Sequence, residues 1–381
     1  VAAYTDAADT VAAYTDAAPV VARLPLRRRA EGRPPDVVSA AQGAPGPGGD
    51  RARVAELLGR TPLGSFRVVV RDFAGDPVVI RNHPLLDDGT PMPTHYWLVG
   101  APWRRAVDRL ESAGGVRQAE AGVDPGALAD AHRRYAAARD AEMPVAWSGP
   151  APTGGVGGAR RGVKCLHAHY AWYLAGGEDP VGAWTQAQLD RTGPGRRSSG
   201  LLRPARREDL PQLAALEEAA GAGFAALGME TVAADPPPSL AFLEACRAGG
   251  RAWVAELDGR VVGYALAEVV DGDVHLAQVS VHPDLRGRRL GAGLLDLVEE
   301  WGIAAGSENM TLTTFAEVPW NAPYYARLGF RPLSPAELGD GLAARRAAEV
   351  ASGLDAWPRL AMVRPLDPSP AGRYARSEPR A

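Results

Sequence analysis

"SVHPDLRGRRLGAGLL", Ser280 to Leu295, places three arginines and three glycines between an alternating apolar run and a leucine-rich one. The run before it, Val274–Val281, reads as a strand ending at His282-Pro283. The stretch after it reads as a helix, Leu290–Ala305. The first-turn N–H groups of a helix lack intrahelical partners, and its dipole is positive at that end. Glycines let a backbone approach an anion closely. The turn Asp284–Arg289 therefore reads either as a pyrophosphate cradle with arginines adding charge or as an ordinary helix start with solvated arginines. It is not a Walker loop, because no Gly-Lys-Ser/Thr follows. Nor does it suit a dinucleotide fingerprint, since the strand before it belongs to a meander.

Working outward, "RAWVAELDGRVVGYALAEVVDGDVHLAQVSVHP" gives three strands joined by two Asp-Gly turns. Ahead of them, "LLRPAR" is a short strand. "REDLPQLAALEEAA" is a helix with Asp209 as its expected cap, and "SLAFLEACRAG" is a helix capped by Ser239. Behind them come the strand "MTLTTF", the helix "NAPYYARL" and a strand pair around "GFRPL" and "RLAMVRPL". Antiparallel strands followed by a crossover helix predict an α+β fold with a mixed, mostly antiparallel sheet flanked by helices.

The order of these elements carries a resemblance. Residues 201–366 resemble the GNAT acetyltransferase superfamily. Its cofactor motif, Arg/Gln-x-x-Gly-x-Gly/Ala, is met by Arg286-Gly287-Arg288-Arg289-Leu290-Gly291-Ala292, and its Tyr-x-x-Leu-Gly-Phe signature by Tyr325-Ala326-Arg327-Leu328-Gly329-Phe330. Arg289 stands where the family has its middle glycine, which the backbone tolerates provided the position needs no positive φ. The resemblance implies acetyl-CoA as donor, no metal, and a small-molecule or peptide amine as acceptor. It implies pantetheine along Ala277–Val281, with Val279, Ser280 and Val281 among the cofactor-binding residues, and pyrophosphate on Arg286 to Ala292. Asn321 resembles the family's cofactor-touching asparagine, though it lies closer to Tyr325 than is usual. Tyr325 would protonate the leaving thiolate, with Tyr324 as fallback and core packing as the plain alternative. His275 and Glu268 are candidate bases; alternation would put His275, Ala277 and Val279 on one face. A half-exposed strand residue is the plain reading of His275, and water chains serve many relatives. "TTFAEVPWNAP", with Glu317 and Trp320, is expected as an acceptor-side loop. A regulatory protein that only binds acyl-CoA is the rival function.

The chain has 381 residues, room for two domains. Residues 1–50 contain "VAAYTDAA" twice and read as disordered; 51–190 form a smaller α+β domain, 191–200 a polar linker, and 367–381 a disordered tail. The linker predicts two halves without fixed geometry. The first half resembles the family of domains of unknown function 501 over about residues 52–185. "LGRTPLGSFRVVVR", "DDGTPMPTHYWLVGAP", "RLESAGGV" and "GVKCLHAHYAWYLAGG" carry the likeness. That family has cysteines where this chain has Asp72 and Ala74, so a role built on them does not carry over. A hairpin is expected around Ala74-Gly75-Asp76-Pro77, and helices at Trp103–Ala113, Pro125–Ala141 and Lys164–Ala175.

In "KCLHAHY", Cys165 and His169 would share a helical face and suit a metal pair if His83 or His95 completed it. A buried cysteine beside a satisfied histidine is the plainer reading, and a nucleophilic Cys165 near Lys164 and His167 a third. Lys164 is the single lysine among 42 basic residues. The net charge of −3 excludes a global basic field for nucleic acid or anionic lipid. No apolar run approaches the roughly twenty residues of a membrane-crossing helix. No signal-peptide pattern opens the chain, which begins with valine, and two cysteines make no disulfide framework. A cytoplasmic protein without nucleic-acid or membrane partners is expected; the sequence carries no sign of oligomeric state.

Overall fold

The computed structural model describes residues 48–192 and 200–367. The expected disordered segment falls outside these residues up to 47, as do most of the linker and nearly all of the tail. Residues 48–50 instead open a helix, α1 (Gly48–Leu58).

Among the described residues, ten strands form one sheet in the order β3-β2-β1-β4-β5-β6-β7-β8-β10-β9. The first half supplies β1 (Phe66–Asp72), β2 (Pro77–Asn82) and β3 (Tyr96–Leu98). The β1–β2 hairpin forms where expected. Asp72 Oδ1 accepts from the Ala74 and Asp76 N–H groups, both at 2.9 Å, and closes the turn. α1 covers one face through Val54 against Phe66, Val68 and Ile80. Helices α2 (Ala101–Ser112), α3 (Gly115–Gly122), α4 (Pro125–Asp140), α5 (Leu166–Leu174) and α6 (Pro180–Thr192) build the core on the other face. α1, α3 and α6 were not expected; α1 and α6 show little apolar periodicity, and α3 is only eight residues long.

The second half follows with β4 (Leu201–Pro204), α7 (Leu210–Ala225), α8 (Glu230–Ala233) and α9 (Leu240–Ala248). The meander β5 (Ala252–Leu257), β6 (Arg260–Val270) and β7 (Asp273–Val281) is as predicted. Asp258, Gly259, Asp271 and Gly272 all hold positive φ, as tight hairpin turns require. Then come α10 (Leu290–Ala304), β8 (Asn309–Phe315), α11 (Ala322–Arg327), β9 (Arg331–Pro332), α12 (Asp340–Ala351) and β10 (Arg359–Pro365). Only β7 and β8 pair in parallel among these strands. The fold is α+β with a mixed, mostly antiparallel sheet. α10 packs on one face, where alanines of β5 and β6 let it approach, and α7 and α9 on the other.

Two expectations are corrected. Asp209 does not cap α7 through its side chain. Its carboxylate accepts from Arg206 N at 2.6 Å and pairs with buried Arg203 at 2.7 Å, closing the short turn before the helix. Nor are the halves loosely joined. β1 pairs with β4 at Arg71↔Leu202 and Asp72↔Leu201. Leu201 belongs to the first core and Leu202 to the second.

Candidate active site

The site starts from a slip in register. Ala267 pairs with Leu276, but Leu266 pairs with Gln278, so Ala277 is one residue too many on β7. Such a bulge twists a strand and ends regular pairing. β8 pairs with β7 only at Val274↔Met310 and His275↔Thr311. Beyond that point the strands part, and among the described residues β8 pairs with β7 no further toward Val281.

The bulge also overturns the expected alternation. Ala277 packs with the α7/α9 core, whereas Val279 and Val281 pack with the α10 core. Gln278 and Ser280 turn to Glu217 on α7. This buried carboxylate accepts from Tyr264 Oη (2.6 Å), Ser280 Oγ (2.7 Å) and Gln278 Nε2 (2.7 Å). Sequence reading passed over Glu217. Its signal was an acid beside Leu213 and Leu216 on the apolar stripe of α7, where an unpaired charge would be costly.

The turn after β7 leads into α10. Among the described residues, the six N–H groups from Gly287 to Ala292 donate to no protein acceptor. They sit at the positive end of a 15-residue helix. Gly287 has φ +79° and open space at its Cα. Arg288 and Arg289 are exposed. A Cβ on Gly291 would stand 3.0 Å from the Tyr324 hydroxyl. Two details depart from expectation. Arg289 does hold a positive φ, +60°, so an arginine occupies the conformation that the missing glycine would favour. Arg286 leaves the cradle. Its N–H donates to Pro283 O at 3.2 Å. Its guanidinium donates to Ala220 O at 3.2 Å and stacks over Trp320, 5.1 Å from the ring centroid.

Tyr325 lies on α11, 8% exposed, against Phe330 and Tyr324. Among the described residues its hydroxyl bonds to no protein group, and burial raises its pKa well above the ordinary phenol value. Asn321 donates from Nδ2 to Thr314 Oγ1 at 2.8 Å and anchors the Glu317–Trp320 loop to β8. Phe224, Phe315, Val318, Trp320 and Trp357 cluster around that loop.

The structure does not bring the two candidate bases to the opening. His275 is 1% exposed, at the last paired position of β7 and β8, with Nδ1 2.9 Å from Thr311 Oγ1. Burial, reinforced by the charge of Arg345, pushes its pKa down to about 3. Glu268 pairs with His275 across the sheet and is held by Arg345 of α12, a helix not expected from sequence.

The "KCLHAHY" cluster disperses. Cys165 is the extended residue before α5 rather than part of its face, and burial raises its thiol pKa, the reverse of activation. His169 Nδ1 lies 2.7 Å from Asp179 Oδ2 in the core. His167 lies between Asp108 and Glu111, and Lys164 donates to Gly157 O at 3.3 Å. Among the described residues, no group of three or more His, Cys, Asp or Glu side chains could hold a metal ion. No helix among them is long and apolar enough to cross a membrane.

Residues 214–330 match the model of the acetyltransferase (GNAT) family, and residues 68–187 that of the protein of unknown function family DUF501. Over 80 residues, 21% of the chain, the sequence is 33% identical to an uncharacterised N-acetyltransferase of Methanocaldococcus jannaschii. The match spans about half, 51%, of that curated relative. Among solved structures, N-acetylglutamate synthase of Neisseria gonorrhoeae, complexed with coenzyme A and N-acetyl-glutamate, is 20% identical. That likeness covers 44% of this chain and 35% of that one, with a TM-score of 0.35. A GNAT-family acetyltransferase of Staphylococcus aureus is 17% identical over 44% of this chain and 98% of its own, with a TM-score of 0.36.

Proposed function

We propose that this chain, a DUF501 domain joined to a GNAT acetyltransferase domain, transfers an acetyl group from acetyl-CoA to an amine. The observation that carries the proposal is the run of unpaired N–H groups from Gly287 to Ala292, directly after a strand edge opened by the Ala277 bulge. The N–H groups take the pyrophosphate as charge-assisted hydrogen bonds. The pantetheine arm lies along Ala277 to Val281 of β7, where the strand has parted from β8, and the thioester enters the gap between β7 and β8.

The amine nitrogen attacks the thioester carbonyl; the C–N bond forms, and the C–S bond breaks as the tetrahedral adduct collapses. Tyr325 supplies the proton to the departing thiolate, and its raised pKa keeps it protonated until that moment. His275 and Glu268 are set aside as bases by burial and by pairing, so the ammonium proton leaves through water at the opening. Val318, Trp320 and Trp357 border the acceptor side.

The burial of His275 and the pairing of Glu268 also favour a second reading, an acyl-CoA-binding regulatory protein. Titration with acetyl-CoA, followed by thiol release across a panel of amines, separates the two. Acetylated product supports transfer; tight binding without turnover of any amine supports regulation; no binding removes both.

A further inference from the structure

The DUF501 half holds a site that acetyl transfer does not use. A cavity of about 810 Å3 lies between α4 and the glycine-rich segment 148–162. That volume lies within the range of small-molecule sites. Two side chains fix the segment. His132 Nδ1 accepts from Val156 N at 3.0 Å, and Nε2 faces Gly162 O at 3.0 Å, so one neutral tautomer satisfies both. Arg139, 1% exposed, donates to Gly154 O at 2.7 Å and Pro152 O at 3.2 Å.

What this frame presents is positive. Arg160 and Arg161 line the cavity, are exposed, and make no ion pair or hydrogen bond among the described residues. The N–H groups of Arg160, Arg161 and Gly162 likewise donate to no described residue. The other lining arginines are matched already, Arg139 by Asp140 and Arg133 by Asp130. Glu120 is the remaining acid of the lining. It sits so close to Gly162 that a Cβ there would collide with its carboxylate.

We propose that this cavity binds a phosphorylated small molecule. The paired guanidinium groups of Arg160 and Arg161 and the adjoining N–H groups hold its phosphoryl oxygens, and Leu128 and Ala129 face its body. Arginine's planar fork matches phosphoryl oxygens two at a time, and a phosphoryl group has acceptors enough for the N–H groups as well.

The test uses the full chain saturated with CoA, so that the cradle at Gly287–Ala292 is filled. Calorimetry with pyrophosphate, in low-salt buffer free of phosphate, should show binding. Replacing both exposed arginines, Arg160→Ala with Arg161→Ala, should weaken it at least about tenfold, with CoA affinity and thermal midpoint unchanged. Absence of binding to the wild type, or equal binding by the double variant, overturns the proposal. Malonate at the same concentration is the control: binding as strong as that of pyrophosphate overturns the assignment to a phosphoryl group.

Discussion

Arg289 adopts φ +60°, a conformation that disfavours any side chain with a Cβ. The N–H groups around it stay free, so the arginine strains the loop without removing its donors. Arg289→Gly should therefore stabilise the protein by about 0.5 kcal/mol or more. A higher urea midpoint at unchanged slope, with CoA affinity retained, is the expected result. Tyr325 can be tested the same way, by separating binding from turnover. Tyr325→Phe should lower kcat roughly 10²-fold and leave the acetyl-CoA Kd unchanged, because only proton transfer is lost. A less stable variant with its rate intact would return Tyr325 to the core. His275 makes stability depend on pH. Its folded pKa, about 3, lies below the ordinary 6.5, so the unfolded chain binds the proton first. The stability contributed by neutral His275 is complete above about 6.5 and is lost as pH falls toward 3, by up to about 1.4 kcal/mol per unit. His95, also lowered to about 3, acts in the same direction. Urea unfolding at several pH values between 7.5 and 5 should show this slope, and His275→Gln should flatten it.

At the scale of elements, α10 does two jobs that its glycines make compatible. Its first turn must stay open to an anion, and its body must lie close to the sheet. A Cβ on Gly293 would meet Leu202 Cδ1 at 2.5 Å, and one on Gly302 would meet Val274 Cγ1 at the same distance. Gly291 stands between the two roles, under the Tyr324 hydroxyl. Gly291→Val should lower CoA affinity by more than about tenfold, through displaced N–H donors and a shifted Tyr324. Calorimetry on the folded variant checks this, and unchanged affinity would remove the cradle assignment. The bulge at Ala277 leaves a mark in the sequence that a strict alternation overlooks: the large apolar residues fall at Val274 and Leu276 and then, one residue out of step, at Val279 and Val281.

Across the whole molecule, the ten-stranded sheet makes the two domains neighbours in one framework. Arg71 of β1 reaches Asp50 and Glu300, each at 2.7 Å, from the first half into α10. Burial works against its charge, yet these carboxylates outweigh it, and the Arg71 pKa is raised. Arg206 adds a second tie, its guanidinium 3.8 Å from the Tyr173 ring centroid. Arg71→Met leaves Asp50 and Glu300 facing each other without a counter-charge and should cost about 3 kcal/mol. Chemical denaturation should show the loss, accompanied by weaker CoA binding, since Glu300 belongs to the helix that begins at the cradle. An unchanged midpoint would mean the halves are energetically separate despite the shared sheet.

Local pattern was enough to read the meander, with its Asp-Gly turns at Asp258 and Asp271, and the glycine–arginine turn feeding α10. It was enough for the short helix that carries Tyr325, which Asn321 precedes, and for the hairpin at Ala74. These features depend on residues adjacent in the chain, so period and turn chemistry expose them. Tertiary structure alone decided that His275 and Glu268 belong to the closed end of the β7/β8 pair. It decided that Glu217 holds Tyr264, Ser280 and Gln278. It decided that Leu201 and Leu202 face two different cores. Each of these is a contact between residues distant in sequence. Register, burial and charge pairing arise only when strands and helices meet, and no local period encodes which neighbour a side chain will find.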